Sequence, residues 1–290
     1  MRIGRDGESD DDAERLTPNG GREGRAFMRL TREIRFSIDE DSPGAALNSW
    51  SGSNGSQRLT AFWTMRITVE GSVDARTGYL CDLRRLDAMG RDVLVPWIRE
   101  TVRVASDRRA AAGVLMRELL RRGEAGVPRG VTLYSVALLL SPQVGYEARR
   151  EESPMIRVTH SYEFCAAHRL RCTDFSAEEN LRVFGKCSNP HGHGHNYVLE
   201  VTVAGEPDPR TGIVAEGPQL DHLVKTHVLD VFDHKNLNVE CEEFTAMNPS
   251  VENIAQVIWR RLDSVLPKGR LANVRVWETA KTFADCSRAD

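Results

Sequence analysis

Apolar and polar positions alternate with a period of two over residues 28–36, 62–70, 156–164 and 196–204, the spacing of half-buried β-strands. After each pair the period lengthens to that of helices, near 84–100 and 107–122, then near 218–231 and 250–265. In the last of these, Ile254, Val257, Ile258 and Leu262 form one apolar face. Strand-like runs at Val131–Leu140 and Leu271–Thr279 close the two series. The order ββααβ therefore occurs twice. It predicts an α+β fold, each unit an antiparallel sheet with two helices on one face.

The repetition extends to residue identities. Met28-Arg29-Leu30-Thr31 is matched by Ile156-Arg157-Val158-Thr159 at a spacing of 128. Asp74, Arg76, Thr77, Gly78, Leu86 and Asp87 recur as Asp208, Arg210, Thr211, Gly212, Leu220 and Asp221, all at 134. A colinear string of this kind marks an internal duplication. The expected organisation is a disordered polar tail over 1–25, a first unit over 26–146, a charged linker over 147–154 and a second unit over 155–290.

Composition narrows the class. With 290 residues, 40% hydrophobic and 28% charged, the chain reads as a globular protein of two domains. A formal charge of −3 argues against a nucleic-acid footprint. No apolar run approaches the roughly 20 residues of a membrane helix, and the polar N-terminus has no signal-peptide core. The six cysteines form no CxxC pair, which fits a reducing, cytoplasmic setting.

The candidate chemistry is concentrated in Cys187-Ser-Asn-Pro-His191-Gly-His193-Gly-His195-Asn-Tyr197. In extended backbone, residues two apart share a face, so alternating histidines converge, and neutral imidazole is a common zinc ligand. A catalytic zinc takes three protein ligands. His193 and His195 supply two, and His168 or His191 the third. His168 is preferred, because three ligands on one short strand would crowd the ion. Asp233-His234 follows an apolar helical segment and joins a carboxylate to an imidazole, as in proton-transfer units. Glu278, at a strand end, alternates with Trp277 into the sheet, where a carboxylate needs N–H partners. At the repeat spacing, Glu40, Leu59 and Ala61 stand opposite His168, His193 and His195. Arg99 and Glu100 stand opposite Asp233 and His234, so the first unit is expected to be non-catalytic.

Residues 155–285 resemble the 6-pyruvoyl-tetrahydropterin synthase and 6-carboxytetrahydropterin synthase family. The motifs are Ala-Ala-His168-Arg-Leu, Cys187 ahead of His193-Gly-His195-Asn-Tyr, Asp233-His234-Lys-Asn-Leu, Ser250-Val-Glu252-Asn-Ile and Trp277-Glu278-Thr279. The resemblance implies a T-fold unit with Zn²⁺ on His168, His193 and His195. It also implies Cys187 as general base, its thiol lowered beside the cationic site, with Asp233 and His234 as proton-relay partners. Glu278 would anchor a pterin, with Ser250 and Glu252 also at the substrate. The implied reaction is that of a lyase on 7,8-dihydroneopterin triphosphate, giving a 6-carboxy- or a 6-pyruvoyl-tetrahydropterin. A non-catalytic zinc- and pterin-binding protein and a dihydroneopterin aldolase-like enzyme are the alternatives. The expected partners are a small-molecule pterin triphosphate and further copies of the chain, with no nucleic acid and no membrane. A trimer is favoured, with first and second units in separate stacked rings and Cys187 of one chain meeting Asp233 and His234 of the next.

Overall fold

A computed structural model of the chain describes residues 27–38, 61–104, 108–267 and 270–288. The tail over 1–25 and positions Glu40 and Leu59 lie outside the described residues. The first half runs β1 Met28–Ser37, β2 Phe62–Gly71, α1 Leu83–Ala88, a π-helical turn Met89–Leu94, α2 Val95–Val104, α3 Arg108–Gly126, β3 Val131–Leu139 and β4 Val144–Arg149. The second half opens with β5 Ile156–His168, α4 Ala177–Phe184, β6 His193–Gly205, α5 Gly217–Val224, a π-turn Lys225–Leu229 and α6 Asp230–Phe232. It ends with β7 Lys235–Asn236, α7 Leu237–Glu240, α8 Val251–Val265, β8 Leu271–Thr279 and β9 Thr282–Ser287. Each half widens its first long helix into a π-turn at the corresponding place, a correspondence between the halves that no sequence period displays.

All the long strands belong to one antiparallel sheet in the order β1-β2-β3-β4-β5-β6-β8-β9, with β7 parallel to the outer end of β5. Burial follows the alternation. Ile34, Phe36, Met65, Ile67 and Val69 in one half, and Phe164, Tyr197, Leu199, Val274 and Val276 in the other, point under the helices. Each such side chain contributes roughly 1.5–3 kcal/mol when fully buried, which is what holds the helices to that face. The opposite face is polar, with pairs such as Thr159 and Thr202, whose hydroxyls lie 2.8 Å apart.

Three expectations change. Each half has a fourth strand, β4 or β9, too short and too polar for its period to stand out. Residues 147–154 are a linker only in part. Glu147–Arg149 complete β4, and only then do a 3-10 turn at Arg150–Glu152 and Ser153-Pro154 lead into β5. Third, the halves share a sheet. β4 pairs with β5, Val144 opposite His160 and Ala148 opposite Ile156, and the Ser161 N–H donates to the Gln143 carbonyl at 2.8 Å. Tyr146 and Val214 pack against both cores. The N–H of Gly113 on α3 donates to the Gly212 carbonyl, and a Cβ at Gly113 would stand 2.3 Å from that oxygen, so only glycine lets the halves close this far. Units in separate stacked rings cannot share a sheet, so the stacked-ring arrangement is overturned.

Candidate metal and active site

The site is built at one end of the sheet, under the helix-covered face. Antiparallel register sets His168 of β5 opposite His193 of β6, and Ala166 opposite His195. Opposed residues share a face, so the three imidazoles meet. The chain enters β6 through a turn in which the Gly192 N–H donates to the Asn189 carbonyl at 2.9 Å. Gly192 has φ +70°, and a Cβ there would sit 3.0 Å from the His168 carbonyl. His191 lies on this turn, exposed and outside the cluster. The histidines lie inside the strand pair, not ahead of it, because β6 starts at His193.

The ligand-type nitrogens of His168, His193 and His195 all lie within 4.8 Å of one another. His168 is fully buried. Its Nδ1 lies 2.7 Å from the Pro249 carbonyl, an oxygen that can only accept, so Nδ1 carries the proton and Nε2 the lone pair. That Nε2 is 3.2 Å from His193 Nε2. His195 Nε2 is buried without a hydrogen-bond partner. Burial holds His168 and His195 below the ordinary histidine range, which favours the neutral, metal-binding form. Convergent imidazoles with an orphaned nitrogen fit a divalent metal ion, and hydrogen bonds among themselves would not satisfy them.

Glu278 continues the inward alternation of Val274 and Val276 on β8. Its carboxylate lies 3.6 Å from His168 Nε2 and 3.8 Å from His195 Nε2. Cys187 lies in a 3-10 turn, Gly185–Ser188, tied to the end of β5 by the Leu170 N–H on its own carbonyl at 2.8 Å. Burial pushes its thiol up, and the Glu278 carboxylate pushes it further. The lowered thiol expected from the sequence is therefore not produced by the protein groups around it. A bound cation is what would reverse the sign.

Ser250 caps α8, its hydroxyl accepting from the Asn253 N–H at 3.4 Å. It follows Pro249 directly and so borders the cluster, whereas Glu252 is exposed on the first turn of α8. Asp233 and His234 form a pair, His234 Nδ1 lying 2.9 Å from Asp233 Oδ2. They flank the other edge of β5. The Cys165 N–H donates to Asp233 at 2.8 Å, and the His234 N–H donates to the Cys165 carbonyl at 2.6 Å. The first of these bonds chiefly, then His234, holds the Asp233 carboxyl below the usual range. His234 adopts φ 58°, sparsely populated for a residue with a side chain. Asp233 lines a cavity of about 810 Å³ together with Gln143 and Val144 of the first half, away from Cys187. Sequence reasoning missed the Pro249 carbonyl that orients His168, and Tyr197, which stacks on Phe164 beneath the cluster. The position of Tyr197, two after His195 on the same alternation, was the available signal.

The 6-pyruvoyl tetrahydropterin synthase family model matches residues 157–289, which include all of these groups. The human 6-pyruvoyl tetrahydrobiopterin synthase is 45% identical over 123 residues, 42% of this chain and 85% of its own length. The chain belongs to the 6-pyruvoyl tetrahydropterin synthase family. A more distant relative, the 6-carboxy-5,6,7,8-tetrahydropterin synthase of Rickettsia bellii, is 28% identical over 149 residues, covering 45% of this chain and 99% of its own. Among solved structures, the Caenorhabditis elegans 6-pyruvoyl tetrahydropterin synthase is 36% identical, covers 47% of this chain and 97% of its own, and has a TM-score of 0.45. The chain is thus an enzyme of the pterin-synthase type, with its histidine cluster inside the matched half.

Proposed function

We propose that the second half is a zinc-dependent lyase that converts 7,8-dihydroneopterin triphosphate to 6-pyruvoyltetrahydropterin with release of triphosphate. The observation that carries the reading is the buried His195 Nε2, without a hydrogen-bond partner among the described residues, facing two further imidazoles, with a thiol and a carboxylate beside them. His168, His193 and His195 hold the metal, and zinc suits three neutral imidazoles with an open position. Bound there, zinc supplies Lewis acidity that acidifies the hydroxyls of the substrate side chain. Pro249 keeps His168 in the tautomer that leaves Nε2 free. Glu278 accepts two hydrogen bonds from the pterin amino and ring N–H groups, the pairing a carboxylate makes with planar donors. Cys187, once its thiol is ionised, takes the proton from the carbon next to the ring. Ser250, beside Pro249, and Glu252 border the pterin. Asp233 and His234 exchange protons at the outer edge of β5, and their contribution is the smaller because the cavity that Asp233 lines is bounded by the first half of the chain.

The 6-pyruvoyl product is favoured over the 6-carboxy one by the identities to the human and Rickettsia relatives, 45% against 28%. Incubation with 7,8-dihydroneopterin triphosphate and mass spectrometry of the products tests the reading. A 6-pyruvoyl product with triphosphate supports it. A 6-carboxy product with acetaldehyde moves the chain to the other branch, and binding without turnover leaves a zinc- and pterin-binding protein.

A further inference from the structure

The junction between the two halves is a template for a contact that the chain leaves open at its ends. β4 and β9 are repeat equivalents at a spacing of 138, since Ala148 lies opposite Val136 as Cys286 lies opposite Val274. β1 and β5 are equivalents at 128. Inside the chain β4 pairs with β5, while among the described residues β9 and β1 each have a neighbour on one side only. The same register carried across sets Thr282 opposite Arg32 and Cys286 opposite Met28. Burial agrees with this. Ile156 is 1% exposed at the internal junction, whereas its equivalent Met28 is 49% exposed. The order of charges is kept as well: Glu147 lies opposite Arg157 inside the chain, each ion-paired to a nearer residue, Arg149 and Glu152, and the transferred register sets Asp285 opposite Arg29, which pair with Arg275 and Glu70. Edge strands with exposed apolar residues call for a partner, and a head-to-tail contact of this kind joins successive copies.

The consequence concerns the metal-bearing end. At the internal junction the cavity is lined by Gln143 at the end of the β3–β4 turn and Val144 at the start of β4, and by His160, Asp221, Lys225 and Asp233 across it. The equivalents of Gln143 and Val144 are Lys281 and Thr282, three and four positions after Glu278. Those of the opposite wall are Arg32, Asp87, Arg91 and Arg99. The first half reproduces the contacts of that wall with different chemistry. Arg32 donates to Asp87 at 2.9 Å as His160 pairs with Asp221 at 2.9 Å, and Arg91 donates to Asp87 at 3.0 Å. Arg99 donates to the Ser37 carbonyl at 2.9 Å, the equivalent of the Cys165 carbonyl bonded by His234. At these four positions the second half has two carboxylates, a lysine and a histidine, and the first half has one carboxylate and three arginines.

We infer that the first half supplies Arg32, Arg91 and Arg99 to the zinc-bearing site of a neighbouring copy, where with Lys281 they hold an oligophosphate chain. Within the reading of this site as one for a pterin triphosphate, the chain held is the substrate's triphosphate. The first half is then the phosphate-binding wall of a site that is incomplete in one chain, and Asp233 stays at the chain's own junction.

The test uses full-length protein, metal analysis, sedimentation and calorimetric titration with inorganic tripolyphosphate. The Ser161 N–H crosses to β4, and residues two apart along a strand point the same way. Thr31, the equivalent of Thr159, therefore directs its N–H outward, and Thr31→Pro removes that donor while keeping the backbone bonds of the β1–β2 ladder, with loss of the Thr31–Thr68 hydroxyl contact. This variant should become monomeric, keep its zinc and lose tripolyphosphate binding. Asp285→Lys, which sets like charges opposite Arg29, should do the same from the other edge. Arg91→Ala and Arg99→Ala should keep assembly and zinc and bind tripolyphosphate about 10- to 100-fold more weakly, the worth of a charge-assisted hydrogen bond. Arg171→Ala and Lys186→Ala, which line a same-chain cavity beside His193, should change it little. Undiminished binding by a monomeric variant, or dependence on Arg171 and Lys186 in place of Arg91 and Arg99, overturns the inference. The titration and the turnover assay fail separately. The expected binding pattern without turnover counts against the synthase reading alone, and turnover with arginine-independent binding counts against the wall alone.

Discussion

The two halves bury matching residues to matching depths. Ile67 and Val201 are both fully buried, Leu86 and Leu220 are 0% and 2% exposed, and the Asp74 and Asp208 turns make the same hydrogen bonds. They part company at one end of the sheet. There the second half carries His168, His193, His195 and Glu278, and the first half carries Ala61 and Leu140 at the described equivalents. The outer strand edge holds Asp233 and His234 in one half and Arg99 in the other. Scaffold positions resist change because a lost or misfitting side chain leaves a cavity or strain in a close-packed interior. A ligand or surface charge is tied to the fold by little besides its function, so the halves diverge there and not in the core.

The largest expected difference is in metal content. His193→Ala should abolish zinc binding by the whole chain, whereas His191→Ala, on the exposed turn, should leave it unchanged. Metal analysis that finds zinc in His193→Ala would locate a site in the first half and break the comparison.

Turnover comes next. Cys187→Ala should remove product formation and keep zinc, because the thiol serves as a base and not as a ligand, while Asp233→Asn should slow turnover less. Loss of metal from Cys187→Ala would make the thiol a ligand. A drop in Asp233→Asn equal to that of Cys187→Ala would join the two groups in one step.

Glu278→Gln should weaken pterin binding about 10- to 100-fold, as expected for hydrogen bonds to a charged acceptor, with zinc retained. Its carboxylate stands within 4 Å of two histidine nitrogens, so metal analysis of this variant decides between pterin anchor and fourth ligand.

Core truncation should affect the halves alike. Leu86→Ala and Leu220→Ala should each cost about 2–5 kcal/mol in denaturant unfolding, the range for leucine cavities. A much smaller cost for Leu86→Ala would mean that the first half is the looser partner.

The smallest effect is at the paired turns. The Thr77 N–H on Asp74, and the Thr211 N–H on Asp208, chiefly hold these carboxyls below the usual aspartate range. Groups whose folded values are depressed contribute above the unfolded value and lose that contribution as pH falls through the folded one. Asp74→Ala and Asp208→Ala should each lower the melting temperature slightly at neutral pH and converge on wild type in acid. Unequal shifts would show that the turns are not equivalent.

Much of this was legible beforehand, for identifiable reasons. Strand periods of two located β1, β2, β5 and β6, and the 3.6 period of Ile254, Val257, Ile258 and Leu262 located α8. The convergence of His168 with His193 and His195 was readable because a strand end and an alternating His-Gly-His run can meet only if they pair in register. The strands β4 and β9 were missed because half of each faces a polar surface and each has only six residues. The sign of the Cys187 shift was missed because it depends first on how far the thiol is buried and then on the Glu278 carboxylate, both set by residues far away in the chain.

By itself, then, the sequence determined the duplication, the alternation that separates a helix-covered face from a polar one, and the set of groups able to hold a metal. These follow from local periodicity and residue chemistry, which do not need the rest of the chain. Only the tertiary structure decided that the halves share one sheet through β4 and β5, that Pro249 orients His168, and that Asp233 opens toward the first half. Each of these is a contact between residues distant in sequence, and backbone pairing and close packing decide which of many compatible partners is met.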